Sequence, residues 1–325
     1  MSYVTVIIPA FNAADFIIDS YQSIVDQTIG DWELIFVNDG SGDRTLSVVK
    51  SLAAADKRIK VIDLSSNSGP ACARNAGLVL ADGDWIALLD ADDRYSRDRL
   101  EVLIRAAEKT GADIVLDNQF VVDPTSKRVA FLAIEPPKDE VVTLEFGAFL
   151  RNVQSSTFFD FGYLKPIIRR RWLEANDVKY REKLRLGEDL MFLMDCYARR
   201  AKVILVSKPY YYYSFQYSQI SRTMSPTTRT EARYEPLLAA MELYLKENAG
   251  RQSHLERRLI ASACEAVRDT MVAKAMKVYL RDRDHVGIAC CLLHPIRLFR
   301  GFYFAKKRSL SVKRRVKSFP LIEGA

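Results

Sequence analysis

The sequence predicts an α/β protein with a mainly parallel sheet, helices on both faces of that sheet, and a helical region after it. The first observation is that five short apolar runs alternate with helical patterns over residues 4–116. Strands that alternate with helices are joined by crossovers, which give parallel pairing. The second observation is that the patterns after about Met224 are only helical. We therefore predict a sheet domain over residues 1–224 and a helical region over residues 225–325.

The composition is that of an ordinary globular chain. Its 325 residues are 49% hydrophobic and 27% charged, with a formal net charge of +7. The five cysteines form no C-x-x-C pair and no histidine-rich spacing, which argues against a zinc site and favours reduced thiols in a cytosolic setting. We expect neither a signal peptide nor a membrane-spanning helix, because no cleavage signal precedes the first strand and no run of eighteen apolar residues occurs.

In the first half of the chain, the predicted strands comprise residues 4–8, 34–37, 59–64, 85–89 and 114–116. Pro9 ends the first strand, and Asn12 is the predicted N-cap of a helix over residues 13–27. The next helix follows the turn at residues 38–43. A further helix opens at Pro70, a residue suited to the first helical position, and runs to residue 80. Residues 100–107 form the last helix of this half.

The middle of the chain is less regular. Residues 129–134 resemble a strand that ends before Pro136 and Pro137. Helices are predicted over residues 144–150, 169–176 and 190–200, and a strand over residues 203–206. Two longer helices, over residues 235–246 and 255–281, make up most of the predicted helical region.

An acidic cluster stands directly after the predicted strand 85–89. Asp90, Asp92 and Asp93 are interrupted only by Ala91. Carboxylates at this density repel one another, and a divalent cation neutralises them; Mg²⁺ and Mn²⁺ favour such oxygen ligands together with substrate phosphates. The carboxyl end of a strand in an open α/β sheet is also where ligands bind. The alternative is a solvated acidic turn that caps a helix starting near Arg97.

Two other loops carry polar side chains that suit a nucleotide. Asp39 follows the second strand and can accept a hydrogen bond from an imide N–H of a base, although an Asp beside Gly40 is also an ordinary turn former. Arg74 lies early in the helix that opens at Pro70 and can reach a base carbonyl or a phosphate, although it also fits an exposed helical position. No glycine-rich phosphate loop occurs, which weakens nicotinamide-dependent and ATP-hydrolysing functions.

A second acidic pair, Glu188 and Asp189, precedes the predicted helix 190–200. One interpretation is that these residues stabilise the helix N-terminus through its dipole. The other is that one of them is a general base, which takes a proton from a sugar hydroxyl as that hydroxyl attacks. The pair by itself does not decide between the two.

Five segments together resemble the ordered signatures of family 2 glycosyltransferases. They are VIIPAFN at residues 6–12, VNDGS at 37–41, NSGPACARNAG at 67–77, LDADD at 89–93 and GEDLMF at 187–192. Each motif alone is weak, but five in this order are specific, and the resemblance covers roughly residues 3–222. It implies a GT-A fold and an inverting transfer by a single in-line displacement, with Mg²⁺ or Mn²⁺ at the leaving diphosphate and no enzyme nucleophile.

The resemblance also implies roles for individual residues of this chain. Asp39 would pair with the uracil N3–H, Arg74 would lie near the base, and Asp90 would contact the ribose region. Asp92 would hold the metal, and Asp189 would deprotonate the acceptor hydroxyl, with Glu188 the less favoured base. The remaining residues expected to line the nucleotide-sugar pocket are Pro9, Ala10, Asn12 and Ala91.

One departure from the family pattern concerns the tyrosine run at residues 210–213. Members of the family often carry an arginine or histidine after such a run, placed to meet the diphosphate. This chain has Ser214 at that position. The sequence leaves two alternatives, that Arg222 replaces the basic residue or that hydroxyl groups make the contact.

The C-terminal segment combines apolar and basic residues. Residues 286–305 are apolar with scattered charges, and the next twenty residues contain seven lysines and arginines and a single acidic residue, Glu323. Such a segment suits the surface of an anionic membrane. The alternatives are a helix packed on the core with a solvated tail, and nucleic-acid binding, which we discount because the acidic nucleotide site already explains the chain's ligand.

From these patterns we predict a cytoplasmic enzyme, peripheral on the inner face of the cell membrane. Its resemblance to glucosyltransferases of succinoglycan-type exopolysaccharide assembly implies UDP-glucose as donor and a polyprenyl-diphosphate-linked saccharide as acceptor, with no nucleic-acid partner. One rival hypothesis is a membrane-associated protein that binds nucleotide-sugars without turnover. Another is a nucleotidyltransferase on a similar fold, which would release diphosphate from a nucleoside triphosphate.

Overall fold

The computed structural model describes residues 3–123, 128–154, 160–214, 234–303 and 306. The chain divides into two compact units, which we treat separately. The first contains Met1–Leu144, Gly162–Ala232 and Leu321–Ala325, and the second contains Glu145–Phe161 and Arg233–Pro320. The predicted boundary at residue 224 lies outside the described residues.

The described residues of the first unit form a ten-stranded sheet. Its strands, in chain order, are β1 Val4–Ala10, β2 Trp32–Asp39, β3 Ile59–Leu64, β4 Trp85–Leu88, β5 Arg94–Tyr95, β6 Ile114–Asp123, β7 Arg128–Leu132, β8 Val141–Thr143, β9 Ile167–Arg169 and β10 Val203–Ser214. They are arranged in the order β3-β2-β1-β4-β9-β6-β10-β5, with β7 paired to β6 and β8 paired to β10.

The described helices follow the predicted positions closely. In chain order they are α1 Ile17–Val25, α2 Thr45–Ala55, α3 Pro70–Leu80, α4 Arg99–Thr110, α5 Phe146–Gln154, α6 Arg170–Ala175, α7 Glu188–Ala198, α8 Glu235–Glu247, α9 His254–Asp282 and α10 His285–Leu292. The helix predicted to open at Pro70 has the predicted bounds. The α/β fold class is confirmed.

The parallel part of the sheet consists of β1 to β4. β1 pairs in parallel with both β2 and β4, and β2 pairs in parallel with β3. All eight positions of β2 are buried, as expected for a parallel strand that is covered on both faces. Helix α3 packs against β1 where Gly77 faces Ile7: a Cβ atom at Gly77 would lie 2.5 Å from the Ile7 Cγ2 atom. The carboxyl ends of β1, β2 and β4 therefore meet at one edge.

Strand β9 was not predicted, and the helix expected to begin at Arg169 starts one residue later. β9 inserts between β4 and β6 and runs antiparallel to both. Its pairing sets Trp85 opposite Arg169 and Ala87 opposite Ile167. Because the strand is antiparallel, the residues before β9 lie beside the carboxyl end of β4. A residue from the middle of the chain thus reaches the ligand-binding edge.

The prediction that Asn12 caps the first helix is wrong. α1 begins at Ile17, and no side chain caps its start. Asn12 has a φ of 50°, in the left-handed region that Asn tolerates better than most residues. Its side-chain oxygen accepts from the Gly42 amide at 2.8 Å, and its own amide donates to Ser41 Oγ at 3.0 Å. Asn12 therefore joins the loops that follow β1 and β2.

The second unit is helical in its described part. α9 contacts α5, α8 and α10, and a capping box between Ser253 and Glu256 fixes its start. The apolar segment at residues 286–305 is not one continuous helix: α10 ends at Leu292, and helix resumes at residues 295–303, with Pro295 at its first position. No helix among the described residues is both long enough and apolar enough to cross a membrane.

Candidate active site

A recess of about 330 Å³ lies at the edge where the carboxyl ends of β1, β2 and β4 meet. Seven of the nine predicted site residues line it; the exceptions are Asn12 and Asp189. Asp189 is connected to the recess because it contacts one of the lining residues, Arg74. The lining residues are Pro9, Ala10, Phe11, Ala13, Phe16, Asp39, Asn67, Gly69, Pro70, Arg74, Asp90, Ala91, Asp92, Arg185 and Glu188.

Asp39 ends β2 and is buried against the loop that leads into α3. Its Oδ1 atom accepts from the Ser68 amide at 2.7 Å, and its Oδ2 atom accepts from the Gly69 amide at 2.8 Å. A carboxylate offers about four lone-pair positions, so Asp39 can still accept from an imide N–H. The contact with uracil stays a prediction.

Arg74 is the centre of a buried charge cluster. Its guanidinium is 2% exposed and contacts three carboxylates: Asp90 at 2.8 Å, Glu188 at 3.0 Å and Asp189 at 3.2 Å. Burial disfavours the charge on Arg74, but Asp189 and Asp90 outweigh that effect and raise the pKa of its guanidinium. The exposed helical position that the sequence left open is therefore wrong for Arg74.

Lys165 completes the cluster and was not predicted. Its Nζ atom lies 2.8 Å from Asp90 Oδ2 and 2.7 Å from Asp189 Oδ2. Burial opposes ionisation of Asp90, yet the charges of Lys165 and Arg74 prevail and lower the pKa of that carboxyl. The backbone of Lys165 is fixed as well, because its carbonyl accepts from Arg99 Nη2 at 2.7 Å. Arg99 is itself paired with the buried carboxylate of Asp117 at 2.7 Å.

Lys165 left no signal in the sequence, because it is a single lysine in an irregular segment. Its place in the charge cluster depends on β9 beginning two residues later and running antiparallel to β4. Arg185, which also lines the recess, was missed because it too is a single basic residue in an irregular segment. Its guanidinium donates to Asn67 Oδ1 at 2.5 Å and to the Asn67 carbonyl at 2.9 Å.

The three aspartates of the acidic cluster have different surroundings. Asp90 is neutralised by two cations. Asp93 is buried, so it does not belong to the solvated helix-capping turn that the sequence left as an alternative. It accepts from the Tyr211 hydroxyl at 2.6 Å and from the Ser214 amide at 2.7 Å. Burial, followed by the charges of Asp92 and Asp90, raises the pKa of Asp93. Asp93 therefore ties the strand β10 to the acidic loop.

Asp92 is the member of the cluster that faces the recess without a balancing charge. Its side chain reaches solvent, and no ion pair to it occurs among the described residues. Loss of hydration in the recess, followed by the charge of Asp90, raises the pKa of Asp92 to about 6. An unbalanced carboxylate of this kind favours the binding of a cation.

The residues of the recess fit a metal ion that the substrate helps to hold. In the described part of the chain, no three His, Cys, Asp or Glu side chains form a metal site by themselves. Mg²⁺ and Mn²⁺ are nevertheless commonly bound by one or two carboxylates together with substrate phosphates. Asp92 supplies one such carboxylate at the recess.

Comparison with known proteins shows the family of the chain. Residues 5–169 match the profile of Glycosyl transferase family 2. The succinoglycan biosynthesis protein ExoO of Rhizobium meliloti (strain 1021) is 34% identical over 247 residues, which are 76% of this chain and 69% of that protein. The chain belongs to glycosyltransferase family 2. A second R. meliloti relative of this glycosyltransferase, the succinoglycan biosynthesis protein ExoU, is 33% identical over 60% of this chain and 56% of its own length.

Solved structures show the same GT-A type of fold as this family 2 glycosyltransferase. S. aureus TarS 1–349, solved in complex with UDP-GlcNAc, has a TM-score of 0.61 at 21% identity and covers 85% of this chain and 73% of its own. A mannosyltransferase from Pyrobaculum calidifontis, in complex with GDP-Man and Mn²⁺, has a TM-score of 0.56 at 17% identity. The match covers 98% of this chain and 87% of the mannosyltransferase chain.

Ser214, which replaces the basic residue that family members often carry after the tyrosine run, is the last described residue of its segment. Ser214 ends β10, and its amide is engaged by Asp93 at 2.7 Å. Arg222, the residue suggested as a replacement for the missing basic side chain, lies outside the described residues. The choice between Arg222 and hydroxyl groups therefore stays as the sequence left it.

Proposed function

We propose that this family 2 glycosyltransferase transfers glucose from UDP-glucose, with inversion, to a lipid-linked saccharide during exopolysaccharide biosynthesis. The observation that carries the proposal is that two carboxylates line one recess and a third lies beside it, each with distinct surroundings. Asp39 ends the strand at one side, Asp92 lies unbalanced in the recess, and Asp189 is connected to it through Arg74. These are the groups that a base-assisted displacement of a nucleoside diphosphate requires.

In the proposed mechanism, Asp189 takes the proton of the acceptor hydroxyl while that oxygen attacks the anomeric carbon. The bond between the anomeric carbon and the diphosphate oxygen breaks at the same time, and the electron pair leaves on the diphosphate. Arg74 and Lys165 hold Asp189 and Asp90 in place during the reaction. Asp92 would hold Mg²⁺ or Mn²⁺, which when bound neutralises the developing charge on the leaving group.

The donor assignment has two supports. Asp39 offers a hydrogen-bond acceptor at the end of β2, which suits the imide N–H of uracil. TarS binds UDP-GlcNAc on the same type of fold. Glucose is assigned because the chain is similar to two succinoglycan biosynthesis proteins, and because its motifs resemble glucosyltransferases of that assembly.

The donor assignment is tested by transfer assays with a panel of UDP-sugars, Mn²⁺ and a polyprenyl-diphosphate saccharide. Asp189→Asn should lower kcat by at least about 10²-fold because the base is lost. The exposed residue Asp26 provides a matched control, and Asp26→Asn should leave the rate unchanged. Equal rates for Asp189→Asn and wild type, or no transfer with any donor, would contradict the proposal. Release of diphosphate from a nucleoside triphosphate would favour the nucleotidyltransferase instead.

The second unit supports a lipid-linked acceptor, since it exposes an apolar face. Arg300 pairs with the buried Asp269 of α9 at 2.9 Å, and Gly301 has no room for a side chain because the Asp269 carbonyl lies against it. One face of segment 295–303 therefore packs on α9 and the other faces away. The exposed apolar residues of α10 and of this segment, each more than half exposed, are Val286, Leu292, Leu293, Ile296, Phe299 and Tyr303.

This apolar face, with the seven basic residues at positions 306–317, suits the surface of an anionic bilayer. Full-length protein should bind liposomes that contain anionic lipid and should bind neutral ones weakly. Ile296→Glu with Phe299→Glu should reduce binding, whereas Leu243→Glu, at an exposed apolar position on α8, should not. Unchanged liposome binding by the double variant would contradict this surface. A change in oligomeric state would instead indicate that a second copy covers it.

A further inference from the structure

Two cations and two carboxylates form a closed ring at the active site. Arg74 joins Asp90 Oδ1 to Asp189 Oδ1, at 2.8 and 3.2 Å. Lys165 joins Asp189 Oδ2 to Asp90 Oδ2, at 2.7 and 2.8 Å. Each cation therefore bridges the same two carboxylates, and positive and negative groups alternate around the ring.

The four carboxylate oxygens of the ring are not equivalent. Lys165 donates a hydrogen bond to Asp189 Oδ2, and Arg74 donates one to Asp90 Oδ1. Asp189 Oδ1 is buried beside the Arg74 guanidinium, at 3.2 Å, and the Tyr180 hydroxyl interacts with the same carboxylate. The ring therefore distinguishes the two oxygens of the base.

We propose, given the transferase mechanism above, that Lys165 is a positioning residue for the general base Asp189. By occupying Oδ2, Lys165 fixes the orientation of the Asp189 carboxylate. By contacting Asp90 with the same ammonium group, it also couples the orientation of the base to the residue on the donor side. Lys165 touches neither reacting atom in this mechanism and acts through Asp189.

Removal of Lys165 would also change the charge balance around the base. The groups that face Asp189 are Arg74 from α3, Lys165 from the loop before β9, Tyr180 from the loop before α7, and Glu188 from α7 itself. Asp90 faces it across the two cations. Two cations against three carboxylates leave one unbalanced negative charge, and loss of Lys165 leaves two. A carboxylate that loses a neighbouring cation retains its proton to higher pH.

The test compares Lys165→Met, Lys165→Arg and a matched control in the transfer assay across pH. Lys165→Met should lower kcat by about 10²-fold, because the base loses its orientation. It should also move the acid limb of the kcat profile upward by about one pH unit. Lys165→Arg, which keeps the positive charge, should recover much of the lost kcat and should restore the acid limb of the kcat profile to its wild-type pH. Lys179→Met removes a solvent-exposed lysine that also pairs with an aspartate, at 2.8 Å, and should change neither quantity.

Two outcomes would overturn the role of Lys165. One is a Lys165→Met enzyme with the kcat and pH profile of wild type. The other is a lower kcat with an unmoved acid limb and no recovery in Lys165→Arg, which would indicate a purely structural effect. An inactive wild-type protein would contradict the transferase proposal instead.

A measurement without substrate keeps the ring itself testable. Urea unfolding midpoints of Lys165→Met, Asp189→Asn and the double variant form a double-mutant cycle. If the ring exists, the double variant loses clearly less than the sum of the two single changes. Additive losses would contradict the ring, whether or not the enzyme turns over.

Discussion

Single residues of the acidic cluster differ because their neighbours differ. Asp90 and Asp93 are separated by two residues, yet two cations surround the first and a tyrosine hydroxyl and a backbone amide surround the second. Asp92, between them, has its pKa raised to about 6 by lost hydration and by Asp90. Burial and partners thus give each of three chemically identical side chains a different environment.

The contact between Tyr211 and Asp93 predicts unequal effects at two adjacent tyrosines. Tyr211 is fully buried and its hydroxyl donates to Asp93 at 2.6 Å. Tyr211→Phe leaves the Oδ2 atom of that buried carboxyl without its hydroxyl donor and should lower the free energy of unfolding by about 1–3 kcal/mol. Tyr212→Phe, on the opposite side of β10, should change it by less than about 0.5 kcal/mol. Urea unfolding measures both, and equal losses would contradict the assignment.

Secondary-structure elements position the site through a few close contacts. The loops after β1, β2 and β4 meet because these strands are parallel neighbours. β9 adds Lys165 to the same edge because it runs in the opposite direction. Helix α3, which carries Arg74, approaches β1 closely because Gly77 has no side chain. The separation of Arg74 from its carboxylate partners therefore depends on the packing of α3 on β1.

Gly77→Ala tests that packing. The added methyl group would lie 2.5 Å from Ile7 Cγ2, so the variant should lose about 1–3 kcal/mol of unfolding free energy and weaken UDP binding as α3 shifts. The same change should cost much less in an Ile7→Ala background, because the clashing atoms are gone. Gly30→Ala has open space around it and serves as control. Equal costs in the two backgrounds would exclude the clash as the cause.

Glu33 on β2 predicts a dependence of stability on acid pH. Burial opposes its ionisation, but hydrogen bonds from Lys60, Thr5 and the Asp82 amide outweigh it and lower the pKa of Glu33 below 4.5. Its contribution to stability is therefore present above about pH 4.5 and is lost as pH falls through the folded-state value.

Glu33→Gln should lose about 1–3 kcal/mol at pH 7, because the charge-assisted hydrogen bonds are weakened. The loss should become smaller below pH 4.5, where wild type weakens too. Melting curves from pH 3 to 8 measure this difference, with the exposed Glu174→Gln as control. A loss that stays constant over this range would contradict the pKa assignment of Glu33.

The whole molecule combines a recess for a nucleotide with a separate helical unit that exposes an apolar face. The sheet unit contains every residue of the charge ring. The helical unit contains the exposed apolar residues of α10 and of segment 295–303. We interpret this division as one between chemistry and attachment to the acceptor's membrane, as proposed above.

Ligand binding at the recess should appear as a change in the stability of the whole chain. UDP with Mn²⁺ at a hundred times the dissociation constant should raise the free energy of unfolding by about 2.7 kcal/mol. Asp92→Asn should retain the stabilisation by UDP alone and lose the increment from Mn²⁺. Thermal-shift measurements with UDP alone, with Mn²⁺ alone, with both and with neither separate the stabilisation by UDP from the increment due to Mn²⁺. A full Mn²⁺ increment in Asp92→Asn would exclude Asp92 as the metal ligand.

Most of the sheet and the helices could be predicted from the sequence, because hydrophobic periodicity reports local burial. β3 and α3 have the predicted bounds, and the acidic motif lies at the predicted edge. Local sequence patterns gave wrong predictions where a side chain binds the backbone or side chains of a distant segment. Asn12 is a residue type that often caps helices, but here it joins two loops. Asp93 belongs to a motif that could cap a helix, but its side chain accepts a hydrogen bond from β10.

Local patterns and their order along the chain predict the fold class, the family and the recess with Asp39, Arg74, Asp90 and Asp92. The pairing of the charges, by contrast, is set only in the folded chain. Lys165 meets Asp90 and Asp189 because an antiparallel strand from the middle of the chain inserts beside β4. A contact of that kind depends on strand order and direction, which no local pattern of residues encodes.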